Sequence, residues 1–311
     1  MSEISQDIGV VIVTYNRIEK LKVALSAYEK QSCGPKYIIV VNNNSDDGTK
    51  DYLDNWKKKL EIYNKHVVHL DENTGASGGF YEGLQKAEGL DADWIWVADD
   101  DAYPNADALE IANNQLKNRN IDFNGVSAMC GAVINNGNID VDHRRRILYN
   151  GLQIKEQNVD LVEYEKDFFE LTLFSYVGVI INKTCLKKVG LTKREYFIYY
   201  DDTEHSMRLS KIGKIICFPK IRIVHDQDLN SAKTFSWKAY YGLRNKLDFY
   251  KRYFPRGYAI NLQKERIKCY RRILFRHRVR EAEVFLDAIN DARDGNLGKH
   301  SKYKPGWHLK E

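Results

Sequence analysis

Proline is scarce in this chain, five residues in 311, and the five cysteines (Cys33, Cys130, Cys185, Cys217, Cys269) are scattered with no C-x-x-C pair. An odd, unclustered set of thiols argues against a disulfide framework and a zinc site, and suits a reducing cytoplasm. No apolar run approaches the roughly 18 to 20 residues that cross a bilayer, and Met1-Ser2-Glu3 opens without a basic-then-apolar leader pattern. Membrane contact is therefore expected to be peripheral. Also missing are a G-x-G-x-x-G after the first strand and any G-x-x-x-x-G-K-[ST], which excludes a nicotinamide-dependent Rossmann enzyme and a P-loop protein. The charge excess is weak, 48 Lys and Arg against 43 Asp and Glu, and matters only where it is concentrated. With 43% hydrophobic residues the chain has enough apolar material for a substantial core.

What is present is organised around Asp93-Trp94-Ile95-Trp96-Val97-Ala98-Asp99-Asp100-Asp101-Ala102. The apolar run, rich in aromatic and β-branched residues, reads as a buried strand, and the three carboxylates that follow it should not share its burial. Adjacent carboxylates repel and resist desolvation. The cluster therefore reads as a water-exposed loop or as the seat of a divalent cation.

Upstream, a β-branched run over 8–14 reads as a first strand with Tyr15-Asn16-Arg17 as its exit loop. Leu21, Ala24, Leu25 and Tyr28 recur at helical spacing over 18–28, and Gly34-Pro35 is the stop signal. A second strand over 37–41 leads into Asn42-Asn43-Asn44-Ser45-Asp46-Asp47-Gly48-Thr49, dense in turn and N-cap formers, and then a helix with Tyr52, Leu53, Trp56 and Leu60 on one face. A third strand over 66–70 and the loop 71–79 precede a helix carrying Phe80, Leu84 and Ala87. This alternation predicts an α/β fold with a mainly parallel central sheet and helices on both faces. In such sheets ligands sit at the carboxyl ends of the strands, where the loops 14–17, 42–49, 71–79 and 99–101 converge. Their small, polar, Gly-rich composition suits a nucleotide.

The second half is less regular. Strands are expected over 126–134 and 174–181, the latter containing Gly178, where a ligand or another backbone approaches closely. The charged stretch 140–146 reads as a loop without an assigned role, and 184–189 as a short helix. A second acidic cluster, Asp201-Asp202-Thr203-Glu204, begins a helix and reads either as capping or as a functional pair. Strands over 215–218 and 221–225 end in His225-Asp226-Gln227-Asp228. His225 reads as a packed histidine or as a ligand for a divalent transition metal.

Taken together, Val10-Val11-Ile12-Val13-Thr14-Tyr15-Asn16-Arg17, Val41-Asn42-Asn43-Asn44-Ser45 with Asp47-Gly48-Thr49, Asn73 with Gly75, the Asp99-Asp100-Asp101 triplet, and Tyr200-Asp201-Asp202 with Arg208 and Gly213 resemble the family 2 glycosyltransferases. The resemblance runs over about 8–228. Asn73 to Phe80 beside the triplet looks most like the galactofuranosyltransferase branch, and Tyr240-Tyr241 with Arg244-Asn245 is similar to a motif shared with rhamnosyltransferases. Many members carry Asp where Asn42 stands. The resemblance implies a GT-A nucleotide-diphospho-sugar transferase fold over 1–235 with a basic, mainly helical C-terminal region over 236–311. It further implies an inverting, metal-dependent hexosyltransferase that takes a nucleotide-sugar donor, UDP-galactofuranose being favoured and dTDP-rhamnose the alternative. The acceptor would be a growing cell-surface glycan, free or lipid-linked. Asp101 and His225 would ligate Mn²⁺ or Mg²⁺, Asp202 would be the general base, and Thr14, Arg17 and Asn43 would hold the nucleoside. Asn73 and Gly75 would border the phosphates and sugar beside Asp99 and Asp100, with Tyr200 a sugar platform or a core residue. A non-catalytic nucleotide-sugar or glycan-binding protein of this fold would lose the base or a metal ligand, and this chain keeps Asp101, Asp202 and His225.

The positive charge is concentrated between 251 and 280, where eleven basic residues face a single acid, Glu265, with aromatic and aliphatic residues interleaved. The stretch reads either as a packed helical appendage with a solvated basic face or as an interfacial helix on anionic lipid. No nucleic-acid module accompanies it, so nucleic acid is not expected as a partner. The expected location is the cytoplasm, peripheral on the inner face of the plasma membrane.

Overall fold

The computed structural model describes residues 3–4, 8–118, 122–227 and 235–309; Met1, Ser2 and Asp228 lie outside the described residues. Four strands, β1 (Ile8–Thr14), β2 (Tyr37–Asn42), β3 (Asn64–His69) and β4 (Trp94–Asp99), pair in parallel in the order β3-β2-β1-β4. The first two are buried along their whole length, as continuous apolar runs require when both faces are covered. Alternation then divides β1 between two cores: Val10 and Ile12 face one, Val11 and Val13 the other. Helices α1 (Ile18–Glu29) and α2 (Thr49–Lys58) fill the first with Leu21, Leu25, Tyr28, Leu53 and Trp56. Helix α3 (Gly75–Glu88) fills the second with Phe80, Leu84 and Ala87. One residue departs from the expected pattern. Leu60 is 97% exposed, because α2 ends at Lys58 before another turn carries it inward.

Beyond β4 come β5 (Ala102–Pro104), helix α4 (Ala108–Leu116), β6 (Val126–Asn135), β7 (Arg144–Tyr149), β8 (Ile154–Asn158), β9 (Phe169–Leu171), β10 (Leu173–Phe174) and β11 (Val179–Asn182). Helices α5 (Lys183–Val189) and α6 (Asp201–Ser210) then lead to β12 (Lys214–His225). The main sheet runs β9-β12-β6-β11-β4-β1-β2-β3. Strand β11 is antiparallel to both β4 and β6, while β6 and β12 are parallel. Six strands therefore share one direction, with β11 reversed in the interior and β9 reversed at the edge. A smaller sheet, β8-β7-β10, stands beside it.

Three expectations are corrected here. The strands read over 215–218 and 221–225 are one strand, β12, which continues through a register shift between Phe218 and Arg222. The strand read over 174–181 is broken between Phe174 and Val179, where Gly178 takes φ +67°; a Cβ there would lie 2.5 Å from Ile223. What approaches Gly178 is the Ile223 side chain of β12. The charged stretch 140–146 is a 3₁₀ turn (Val141–His143) followed by β7, and Arg144 is fully buried. Its guanidinium donates to the carbonyls of Gly131 (3.0 Å), His143 (3.0 Å) and Val177 (2.7 Å), joining three segments at the sheet's centre.

At the C-terminus α7 (Lys238–Tyr253), α8 (Pro255–Arg276) and α9 (Val279–Asp294) pack on one another through Leu247, Leu262, Cys269, Ala282 and Ile289. Among the described residues no helix is long and apolar enough to cross a membrane.

Arg144→Met keeps most of the side-chain volume and deletes every donor, leaving buried carbonyls unpaired. The expected loss is about 3 kcal/mol, read as a lower urea midpoint with an unchanged slope. A midpoint equal to that of the parent protein would show that these carbonyls find other partners.

Candidate active site

The acid triplet sits where β4 ends, and its burial is the first surprise: Asp100 is 3% and Asp101 5% exposed. The expectation that these carboxylates would escape the interior is corrected, because Arg17 supplies the compensating charge from the start of α1. Its Nη1 lies 3.1 Å from Asp100 Oδ1 and 2.7 Å from Asp101 Oδ2, while Thr14 donates its hydroxyl to Asp100 Oδ2 at 2.7 Å. Burial still pushes Asp100 up to about 6, against the pull of Arg17. Asp99 is raised by burial and then by Asp101. For Asp101 burial works in the same direction, but His225 and Arg17 together outweigh it and hold the carboxyl below its ordinary range.

His225 closes β12 opposite Ala102 and brings its Nε2 to 3.5 Å from Asp101 Oδ1. Its other ring nitrogen, Nδ1, is buried without a hydrogen-bond partner among the described residues. The ring stands edge-on to His143 at 5.0 Å between centroids. His143 is held at both nitrogens, by Ser175 Oγ at 2.6 Å and by Asp140 at 3.5 Å. Asp101 and His225 fit a divalent ion: their 3.5 Å separation is shorter than two bonds of about 2.1 Å laid end to end. No cluster of three or more His, Cys, Asp or Glu suited to a metal occurs among the described residues; Asp101 and His225 are the two side chains that would hold an ion here.

The loops flanking this pair are tied together by one amide. Asn43, buried, donates to Gly75 O at 2.9 Å and Asn73 Oδ1 at 3.3 Å, and accepts from the Thr74 N–H at 2.9 Å. Its side chain is thus engaged beneath the 73–75 loop. Gly75 opens α3 at φ +75°, and a Cβ there would stand 2.0 Å from the carbonyl oxygen of Phe197. That oxygen also accepts from the Ser77 N–H at 3.1 Å. Lys299, from the far end of the chain, donates to Asn73 O at 3.0 Å.

Phe197 begins the segment that carries the second acidic pair. Phe197, Tyr199 and Tyr200 all take φ of +66° to +67°, a region costing bulky residues on the order of 1–3 kcal/mol each. Helix α7 holds them there. The Asn245 amide donates to the carbonyls of Tyr196, Ile198 and Tyr199 at 2.9 Å each, and Arg244 reaches Tyr196 O at 3.2 Å and Gly298 O at 2.7 Å. Asp201 and Asp202 follow as the first residues of α6. Asp202 accepts from the N–H (2.5 Å) and hydroxyl (3.1 Å) of Thr203, and Arg145 in turn donates to that hydroxyl at 2.8 Å. Burial raises both carboxyls above their ordinary range; for Asp201 the neighbouring Asp202 adds to the rise, and for Asp202 Arg145 opposes it.

Beside the pair lies a cleft of about 490 Å³. On its wall Glu156 accepts from Arg145 (2.5 Å), Tyr200 (3.0 Å) and Tyr250 (3.0 Å). The structure therefore gathers Thr14, Arg17, Asp99, Asp100, Asp101 and His225 into one group, Asn43, Asn73 and Gly75 into the adjoining loop, and Asp202 across the Phe197 contact. His143, Arg145 and Glu156 were missed from sequence. The only signal for the first two was the charged run 140–146.

A family model described as glycosyl transferase family 2 matches residues 9–170. The chain is similar to galactofuranosyltransferase GlfT1 of Mycolicibacterium smegmatis, with 26% identity over 203 residues, 65% of each chain. It is similar to dTDP-rhamnosyl transferase RfbF of Shigella flexneri, with 26% identity over 228 residues, 71% of this chain and 69% of that one. The match thus spans about two thirds of the length of these relatives. Among solved structures, GalNAc-T7 with UDP, GalNAc and Mn²⁺ has a TM-score of 0.59 at 19% identity, covering 79% of this chain and 47% of that one. Staphylococcus aureus TarS 1-349 in complex with UDP-GlcNAc has a TM-score of 0.57 at 15% identity, covering 92% and 81%. At such identities these two likenesses show the GT-A fold alone.

The raised Asp100 carboxyl has a consequence for stability. The folded protein holds this proton more tightly than an unfolded chain with the ordinary value of 3.8, so the contribution is complete below about pH 4 and is lost as pH rises through about 6. The ligand-free protein is expected to melt lower at about pH 7 than at about pH 5, and Asp100→Asn to flatten that slope. An Asn variant with the parent's slope would assign the titration to another group.

Proposed function

This chain belongs to glycosyl transferase family 2, and from that premise we propose that it transfers a glycosyl unit from a nucleoside diphosphate sugar to a glycan hydroxyl, with inversion at the anomeric carbon. The observation that carries the reading is the joining of two acidic stations at one end of the sheet: Asp101 with His225, and Asp202 across the backbone contact at Phe197. Asp202 is the general base. The acceptor oxygen attacks the anomeric carbon, its proton passes to Asp202, and the bond from that carbon to the diphosphate oxygen breaks with its electron pair leaving on the diphosphate. Burial makes Asp202 more basic than an ordinary carboxylate, and the hydrogen bonds from Thr203 fix its orientation. A divalent ion on Asp101 and His225, Mn²⁺ or Mg²⁺, would neutralise the diphosphate and make it a better leaving group.

Thr14, Arg17 and Asn43 surround the nucleoside, Asn43 acting through the loop it fixes. Asn73 and Gly75 border the phosphates and sugar, and Asp99 and Asp100 form the floor. UDP-galactofuranose is the favoured donor, supported by the similarity to GlfT1. A dTDP-rhamnose donor is the second reading, supported by the longer match to RfbF.

Asp202→Asn preserves shape and removes basicity, so turnover should fall on the order of 10² to 10⁴ with donor affinity nearly unchanged. A dead Asp201→Asn beside an active Asp202→Asn would move the base by one residue. Ala at Asp101 or His225 should remove the Mn²⁺-dependent part of donor binding while leaving the fold intact. Thermal shift and nucleotide release over a panel of nucleotide sugars decide the donor, and full transfer in excess EDTA would refute the metal.

A further inference from the structure

Helix α8 has two unlike sides. Leu262, Cys269 and Ile273 turn inward onto α9. Outward, Ile267, Tyr270 and Leu274 recur at i, i+3 and i+7 and are 56%, 58% and 67% exposed; Phe275 beside them is 76% exposed. Large apolar side chains left in water in this number on one helix face mark a contact surface. What surrounds them identifies its partner. Lys264, Lys268, Arg271, Arg276 and Arg278 are all exposed around the stripe, and no acidic residue occurs between Arg266 and Arg280.

We infer that the second half of α8 docks in the headgroup region of an anionic bilayer, with Ile267, Tyr270, Leu274 and Phe275 entering the apolar boundary and the flanking Lys and Arg on lipid phosphates. A second copy of the chain fits this face poorly. A two-fold contact would set the basic rim against itself: Lys268 and Arg278 are already paired with Glu265 and Glu281, and Lys264, Arg271 and Arg276 would be desolvated beside like charges. A bilayer answers both features at once, apolar depth at the centre and negative charge around it. The surface lies outside the proposed transfer site and its assignment is independent of that reading. The same helix nevertheless connects the two, since Asn261 lines the cleft beside Glu156. Six residues of helix, about 9 Å, separate Asn261 from Ile267, so docking holds the cleft close to the membrane and within reach of an acceptor anchored there.

The test is sedimentation of the full chain with vesicles. The protein should pellet with phosphatidylglycerol–phosphatidylcholine vesicles and not with phosphatidylcholine alone, and raised salt should release it. Arg271→Glu should weaken partition at least about fivefold, the equivalent of about 1 kcal/mol for the one basic residue lost. The triple variant Ile267→Glu, Leu274→Glu, Phe275→Glu should stay in the supernatant while keeping the parent's melting temperature and its UDP-induced thermal shift. Equal pelleting with both vesicle types, or a triple variant that still pellets, would overturn the inference. So would a parent dimer in solution that the triple variant converts to monomer, which would make the face a contact between copies. UDP-induced shifts are read separately, so a protein that pellets as expected and ignores nucleotides would leave the docking face standing and count against the transfer reaction instead.

Discussion

The structure depends on one buried pair of side chains, Arg244 and Asn245, that keeps three aromatic residues in a backbone conformation they would not hold alone. Phe197, Tyr199 and Tyr200 together carry strain on the order of several kcal/mol. The carbonyls of Tyr196, Ile198 and Tyr199, in and beside this segment, are turned inward, where fixed donors satisfy them. Asn245, itself oriented by Arg244 at 2.9 Å, supplies those donors from a helix more than forty residues further along the chain. Without that pair the segment would relax to ordinary β or helical angles, and α6 would begin with its two carboxylates pointing elsewhere. A C-terminal helix thus holds the segment that leads into Asp201 and Asp202.

A second constraint is electrostatic. Three consecutive carboxylates at a strand end are affordable only because Arg17 stands over two of them and His225 over one. The guanidinium is half in water, its side chain 45% exposed, and it bridges the loop after β1 to the end of β4. It takes Asp101 Oδ2 and leaves Oδ1 facing His225. The site is therefore organised by charge before any ligand arrives, and Thr14 and Thr203 do by hydrogen bonding for Asp100 and Asp202 what Arg17 does by charge.

Much of this was legible in the residues themselves. β-branched runs bounded by polar loops marked the parallel strands, helical spacing marked α1 to α3, and the order of the acidic motifs carried the family. The errors have physical causes. The reading that carboxylates reject burial was right for isolated charges, but the countercharge at Arg17 lies more than eighty positions away. The run 140–146 reads as a loop because six of its seven residues are ionisable, whereas the buried Arg144 answers to carbonyls contributed by Gly131 and Val177. Gly178 advertised a close approach without saying of what. Leu60 continued a helical period past the helix end, which α2 reaches at Lys58 with the backbone turning extended at Lys59. Local pattern identifies elements; long-range pairing decides which exceptions to pattern are tolerated.

The contact at Phe197 reaches beyond the resting geometry. Its carbonyl oxygen meets Gly75 where no side chain fits and accepts from Ser77, so at this point the 73–77 loop and the segment leading to Asp202 abut through main chain. Main chain offers no substituent that substitution could trim to loosen the joint. A change of backbone in residues 73–77, whether by descent or by grafting the loop from a relative, therefore carries over to the segment that leads into α6. The 73–77 loop and the start of α6 are thus constrained to vary as a linked unit.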